Sequence, residues 1–182
     1  MRIIRSLAAS AALAALLHAA PASAQEADPA TALMMDQEPV VAGTVTISLA
    51  WARATPPGAP TAAGYLSIAN TGDTDETLVS VAAAIAGMTE IHQMIMADDR
   101  MMMRPLEDGL VIAAGETIVL EPGGHHLMFM NIGDALVEGT IVDVTLTFAN
   151  AGAVDVTLVV YPIGSDGPEA GEVGAFGFMH RE

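Results

Sequence analysis

Apolar and polar residues alternate in short runs through the middle of the chain, the two-residue period of strands that bury one face. Residues 44–50 alternate, and 64–70 follow after a Pro/Gly-rich loop at 56–60. The runs 78–85, 89–96, 101–106, 117–120, 126–132, 141–149 and 154–161 complete the series. Turn residues separate them: Asn70-Thr71-Gly72, Asp108-Gly109, Pro122-Gly123-Gly124 and Asn150-Ala151-Gly152. Each offers glycine or asparagine for the backbone conformations that tight turns require. No long stretch carries a 3.6-residue period with caps. Short strands at this spacing predict an all-β chain folded as an antiparallel β-sandwich.

Both flanks break the pattern. Arg2 and Arg5 precede an Ala/Leu-rich stretch that runs to about residue 20, and Ala22-Ser23-Ala24 forms a small-residue cleavage site. This is the plan of a cleaved signal peptide over 1–24, with an apolar part too short for a comfortable membrane span. Residues 25–39 mix Ala, Glu, Asp and Pro, and residues 164–182 are rich in Gly and Glu. Polar segments of this kind read as flexible. One domain over 40–163 remains, long enough for a real core. The sequence predicts a soluble periplasmic protein with no stable membrane insertion.

Charge narrows the partners. Once the leader is removed, four arginines face 22 acidic residues, a formal net charge of −18. Such a surface repels nucleic acid and anionic lipid. The acidic clusters Asp73-Thr74-Asp75-Glu76, Asp98-Asp99 and Glu107-Asp108 lack the spacing of an EF-hand loop and read as solvated loop acids. The chain has no cysteine. That excludes a blue-copper thiolate centre, a thioredoxin-like reductase and a cysteine nucleophile in these residues, and it denies a lipoprotein its anchoring residue. No nucleophile, acid–base pair or open hard-metal site is visible, so the pattern does not read as an enzyme.

Soft donors stand out against this background. His92 is followed after ten residues by Met103, after 22 more by His126, and after Leu127 by Met128. Imidazole and thioether are neutral ligands and thioether is soft, so the set selects Cu(I) over harder ions. Residues two apart share a strand face. His92, Met94 and Met96 therefore lie together, as do His126, Met128 and Met130, and as do Met101 and Met103. Three strands can bring His92, Met103, His126 and Met128 towards one point near the end of the sandwich. Met88, Met94, Met96, Met102 and Met130 read as flexible core filler.

The surrounding residues resemble the PCu(A)C family of periplasmic copper chaperones. The resemblance runs through Ala50-Trp51-Ala52-Arg53-Ala54-Thr55-Pro56-Pro57-Gly58 and Ala63-Gly64-Tyr65-Leu66-Ser67-Ile68-Ala69-Asn70-Thr71-Gly72. It continues in Glu90-Ile91-His92-Gln93-Met94, Met101-Met102-Met103-Arg104-Pro105 and Pro122-Gly123-Gly124-His125-His126-Leu127-Met128-Phe129-Met130, and spans about residues 44 to 162. The family signature places about ten residues between His and Met and about 21 before His-x-Met. Counting to His125 gives 21 but leaves His-x-x-Met, and the strand period favours His126.

The resemblance implies a cupredoxin-like Greek-key sandwich. It also implies Cu(I) delivery towards respiratory copper centres, including the copper A site of cytochrome c oxidase. The partner it implies is a copper-accepting oxidase subunit or a Sco-type assembly protein. A copper buffer or resistance protein remains an alternative, as does a metal-free interaction module. A secondary Cu(II) site that uses His125 or the Met179-His180 tail also stays open.

Overall fold

The computed structural model describes residues 37–97 and 99–168. The leader at 1–24, residues 25–36 and the tail with Met179 and His180 lie outside the described residues. Among the described residues eleven strands form: β1 (Val40–Ala42), β2 (Val45–Arg53), β3 (Thr61–Asn70), β4 (Glu76–Ala83), β5 (Ala86–Ala97), β6 (Arg100–Pro105), β7 (Leu110–Ile112), β8 (Thr117–Leu120), β9 (His125–Ile132), β10 (Ile141–Phe148) and β11 (Gly152–Tyr161). No helix forms among the described residues.

Alternation in the sequence becomes alternation in burial. In β10, Val142, Val144, Leu146 and Phe148 are buried while Ile141 and Asp143 face out. The strands run β6-β5-β9-β3-β2-β11-β10-β4-β7 along one hydrogen-bonded path, with β1 on β2 and β8 on β3. The path folds back so that β4 packs against β5, and the two layers enclose Ile47, Leu66, Ile68, Leu78, Leu127, Phe129, Leu146 and Leu158. The result is the cupredoxin-like β-sandwich that the sequence and its resemblance imply.

Three features depart from the sequence-based expectation. β1 and β7 are only three residues long, too short to show a period. β2 and β11 pair in parallel, Val159 with Trp51 and Tyr161 with Arg53, which makes the sheet mixed. Between Ser48 and Trp51 the β2–β3 register shifts, and Leu49 adopts a φ of 53° there. This bulge lets one end of β2 pair with β1 and the other with β11.

A further correction concerns Glu76, read above as a solvated loop acid. It is buried, and its carboxylate accepts the N–H groups of Thr77, Asn150 and Ala151 and the side-chain amide of Asn150. Burial alone would raise its pKa, but these donors outweigh that and hold it below the ordinary carboxylate value.

Candidate metal centre

The donors sit on the face of β6-β5-β9 that points away from the core. Pairing on β5 and β9 sets His92 opposite His126 and Glu90 opposite Met128. On β5 and β6 it sets Met94 opposite Met103 and Met96 opposite Met101. Directly opposed residues of an antiparallel pair share a face, so all of these side chains are on one surface. Beneath them, Ile91, Leu127 and Phe129 point into the core. His125 pairs with Gln93 and falls on the face opposite to His126.

Two rings form the centre of the arrangement. His92 and His126 are both buried, and their rings meet edge-on with centroids 5.7 Å apart. Met103 lies one step along the sheet on one side of this pair and Met128 one step on the other. Met94, Met103, His126 and Met128 line one open pocket of about 400 Å³, bordered also by Arg53, Tyr65 and Pro122. His92 does not line that pocket; it joins the group through its contact with His126. Two thioethers flank two imidazoles on one sheet face, with open space above the pocket.

The hydrogen bonds fix which ring nitrogens are free. His126 Nδ1 is 3.2 Å from the Gly124 carbonyl oxygen, which can only accept, so Nδ1 carries the proton and Nε2 keeps its lone pair. His92 Nε2 is 2.7 Å from Glu90 Oε2. With that proton held by the carboxylate, the lone pair lies on Nδ1, which is buried and has no hydrogen-bond partner. Partners of this kind orient metal-binding histidines and raise their basicity. His92 Nδ1 and His126 Nε2 are therefore the ring nitrogens whose lone pairs these hydrogen bonds leave free.

The turn before β9 builds this geometry. Gly123 has a φ of 84°, a conformation that favours glycine. The turn is closed by Gly124 N–H donating to Glu121 O and Glu121 N–H donating to His125 O. It presents the Gly124 carbonyl, which accepts both the Met94 N–H at 3.2 Å and the His126 ring. One turn thus ties β5 to β9 and sets the His126 tautomer.

Two residues were missed by sequence reasoning. Glu90 adds a negative charge to a donor set that is otherwise neutral; its place two residues before His92 on one face was the available signal. Met94 is a pocket residue rather than core filler. The same correction applies more widely: Met88, Met96 and Met102 are 52%, 65% and 44% exposed, Met130 is half-buried, and none joins the buried core. Methionine's adaptability fits a core gap or a surface equally, so composition could not separate the two. Among the described residues no three His, Cys, Asp or Glu side chains gather at metal-holding distance, so a metal centre here draws on thioethers.

Two outcomes follow from this geometry. Replacing Glu90 by glutamine removes the charge and weakens control of the His92 tautomer. Affinity for a Cu(I) ion should fall by about tenfold to a hundredfold, read by chelator competition, with the melting temperature nearly unchanged. Burial lowers the His126 pKa below its ordinary value; the Gly124 bond opposes this, and the neighbouring His92 and His125 add to it. The unfolded chain then binds a proton more readily than the folded one. This contribution to stability is complete above about pH 6.5 and is lost as pH falls through the folded value. An imidazole titration of the apo protein by NMR should place the His126 midpoint below about 6.5; a midpoint at or above it contradicts this environment.

Comparison with known proteins agrees with the geometry. The family profile described as "Putative lipoprotein LpqE-like" matches residues 45–160. The "Putative lipoprotein Lxx21020" of Leifsonia xyli subsp. xyli (strain CTCB07) is 29% identical over 116 residues, 64% of this chain and 69% of that protein. Among solved structures, the apo PCuAC domain from PmoF1 has a TM-score of 0.59 at 25% identity, covering 69% of this chain and 99% of that domain. The copper-bound PCuAC domain from PmoF2 has a TM-score of 0.59 at 24% identity over the same shares. Apo-DR1885 from Deinococcus radiodurans has a TM-score of 0.53 at 23% identity, covering 91% of this chain and all of that one. The profile matches more than half of the chain and the PCuAC domains are covered almost completely: the fold is that of the PCuAC domains, and the chain belongs to the LpqE-like family.

Proposed function

We propose that the protein is an extracytoplasmic Cu(I) carrier that holds one ion between His92, Met103, His126 and Met128. The observation that carries this reading is the pair of buried histidines, each with one ring nitrogen free, flanked by thioethers on one sheet face. A copper-bound PCuAC domain of the same fold supports it. Export rests on the leader over 1–24 and on the lipoprotein descriptions of the relatives. The 182 residues hold no cysteine, so none of them can take a thioether-linked lipid.

The donors suit transfer rather than catalysis. Histidines supply affinity and thioethers keep the preference for the reduced ion. The pocket is open, so a partner can approach and exchange ligands one at a time. The recipient we infer is a respiratory copper centre such as the copper A site of cytochrome c oxidase, met directly or through a Sco-type thiol protein. Incubating Cu(I)-loaded protein with an apo copper A domain tests this. Metallation of the domain, lost with the Met128→Leu variant, supports delivery. Retention of the ion by the carrier favours a buffering role instead.

A further inference from the structure

The β5–β6 hairpin carries soft donors that the quartet does not use. Met96 and Met101 stand directly opposite each other on the paired strands, and Met94 shares their face two residues before Met96. Opposed residues have Cβ atoms about 5 Å apart, and residues two apart on a strand lie about 6.8 Å apart. Methionine side chains have three rotatable bonds, so three sulfurs at this spacing can close round one ion. Met96 is 65% exposed and Met101 51%, so the group opens to solvent.

The choice of residue points to sulfur. Apart from Ala86 and Pro105, every apolar side chain on this face of the hairpin is methionine: Met88, Met94, Met96, Met101 and Met103. Branched aliphatic residues favour strands more than methionine does, and an apolar docking face would draw on them. Exposing this many thioethers with no Leu, Ile or Val among them needs a reason beyond packing.

We propose that Met94, Met96 and Met101 form a second, weaker site for a soft monovalent cation, chiefly Cu(I), which passes the ion to the quartet through Met103. The proposal rests on the reading of the quartet as a Cu(I) centre. Met103 faces Met94 across the strand pair and both line the pocket, so thioether-bearing residues follow one another from the solvent-facing group to the pocket. The ion moves by ligand exchange, one thioether leaving as another binds, and stays Cu(I) throughout. Without imidazole the outer site binds less tightly than the quartet, which gives the transfer its direction.

The test uses Ag(I), a redox-inert soft ion, with protein labelled at the methionine methyl carbons. The first equivalent should shift the Met103 and Met128 signals, with that of Met94 beside them in the pocket, and the second those of Met96 and Met101. The Met96→Leu/Met101→Leu double variant changes volume little and should fold normally. It should lose the second equivalent, keep the first and load the quartet more slowly. Unmoved Met96 and Met101 signals at two equivalents overturn the proposal, as does a double variant that still takes both ions. An unchanged loading rate overturns the relay. Movement of the outer set with no response from Met103 and Met128 would sink the quartet and leave the outer site standing.

Discussion

Replacing His126 by alanine should weaken Cu(I) binding by at least about a hundredfold. Changing a residue that only orients a metal ligand costs about tenfold to a hundredfold, and loss of the ligand itself lies at or beyond that upper end. His126 also occupies the centre of the site: its ring meets His92 at 5.7 Å, its Nδ1 is held by Gly124, and it lines the pocket with Met103 and Met128. The variant should keep its fold. Truncating one buried ring at the sheet surface costs about 1–3 kcal/mol, a melting shift of several degrees for a domain of this size. Competition with a chromogenic chelator measures the binding loss and calorimetry measures the fold. A small affinity change in a folded variant would place the ion elsewhere.

Glu76→Ala should have the largest effect on stability and almost none on copper. Glu76 is 3% exposed, and its carboxylate takes three backbone N–H groups and one side-chain amide. The contacts tie the start of β4 to the β10–β11 turn. Removing the acceptor leaves those donors without it, at about 1–3 kcal/mol for each group that stays buried. Partial rescue by water brings the expected loss to roughly 3–4 kcal/mol, or about 10–15 °C in melting temperature. Because the folded pKa is lowered, the stabilisation is complete above about pH 4.3. It is lost as pH falls through the folded value, so the deficit of the variant should shrink in acid. Glu76 does not line the pocket, so Cu(I) affinity of the folded variant should match the wild type. A drop under 1 kcal/mol (roughly the smallest of these terms) would mean that the cluster behaves as solvated acid after all.

Legibility in the sequence followed the range of the interactions. β10 and β11 could be read because period-2 alternation is a local property, and the same period put His126 and Met128 on one face. The position of Met94 could not be read. It depends on the β5–β6 register, which sets it against Met103, and on a pocket bordered by Pro122 and Arg53 from elsewhere in the chain. Glu76 misled for a related reason: it follows Asp73 and Asp75 in an acidic run, and only the fold of β10 and β11 over it turns it inward. Leu49 gave no warning of the β2 bulge, since a positive φ there falls on leucine with no glycine to mark it. Glu90 was legible in principle, two residues from His92 on one face, but a search for soft donors passes over a carboxylate.

Everything proposed for this sheet face depends on its binding Cu(I). An anaerobic titration of the wild-type protein, in competition with a chromogenic Cu(I) chelator, measures that binding. The protein should take one tight equivalent from the chelator, in amounts that track protein concentration. If it withdraws no copper from the chelator, this face is not a Cu(I) site, and the buried histidines and their flanking methionines are elements of sheet packing alone.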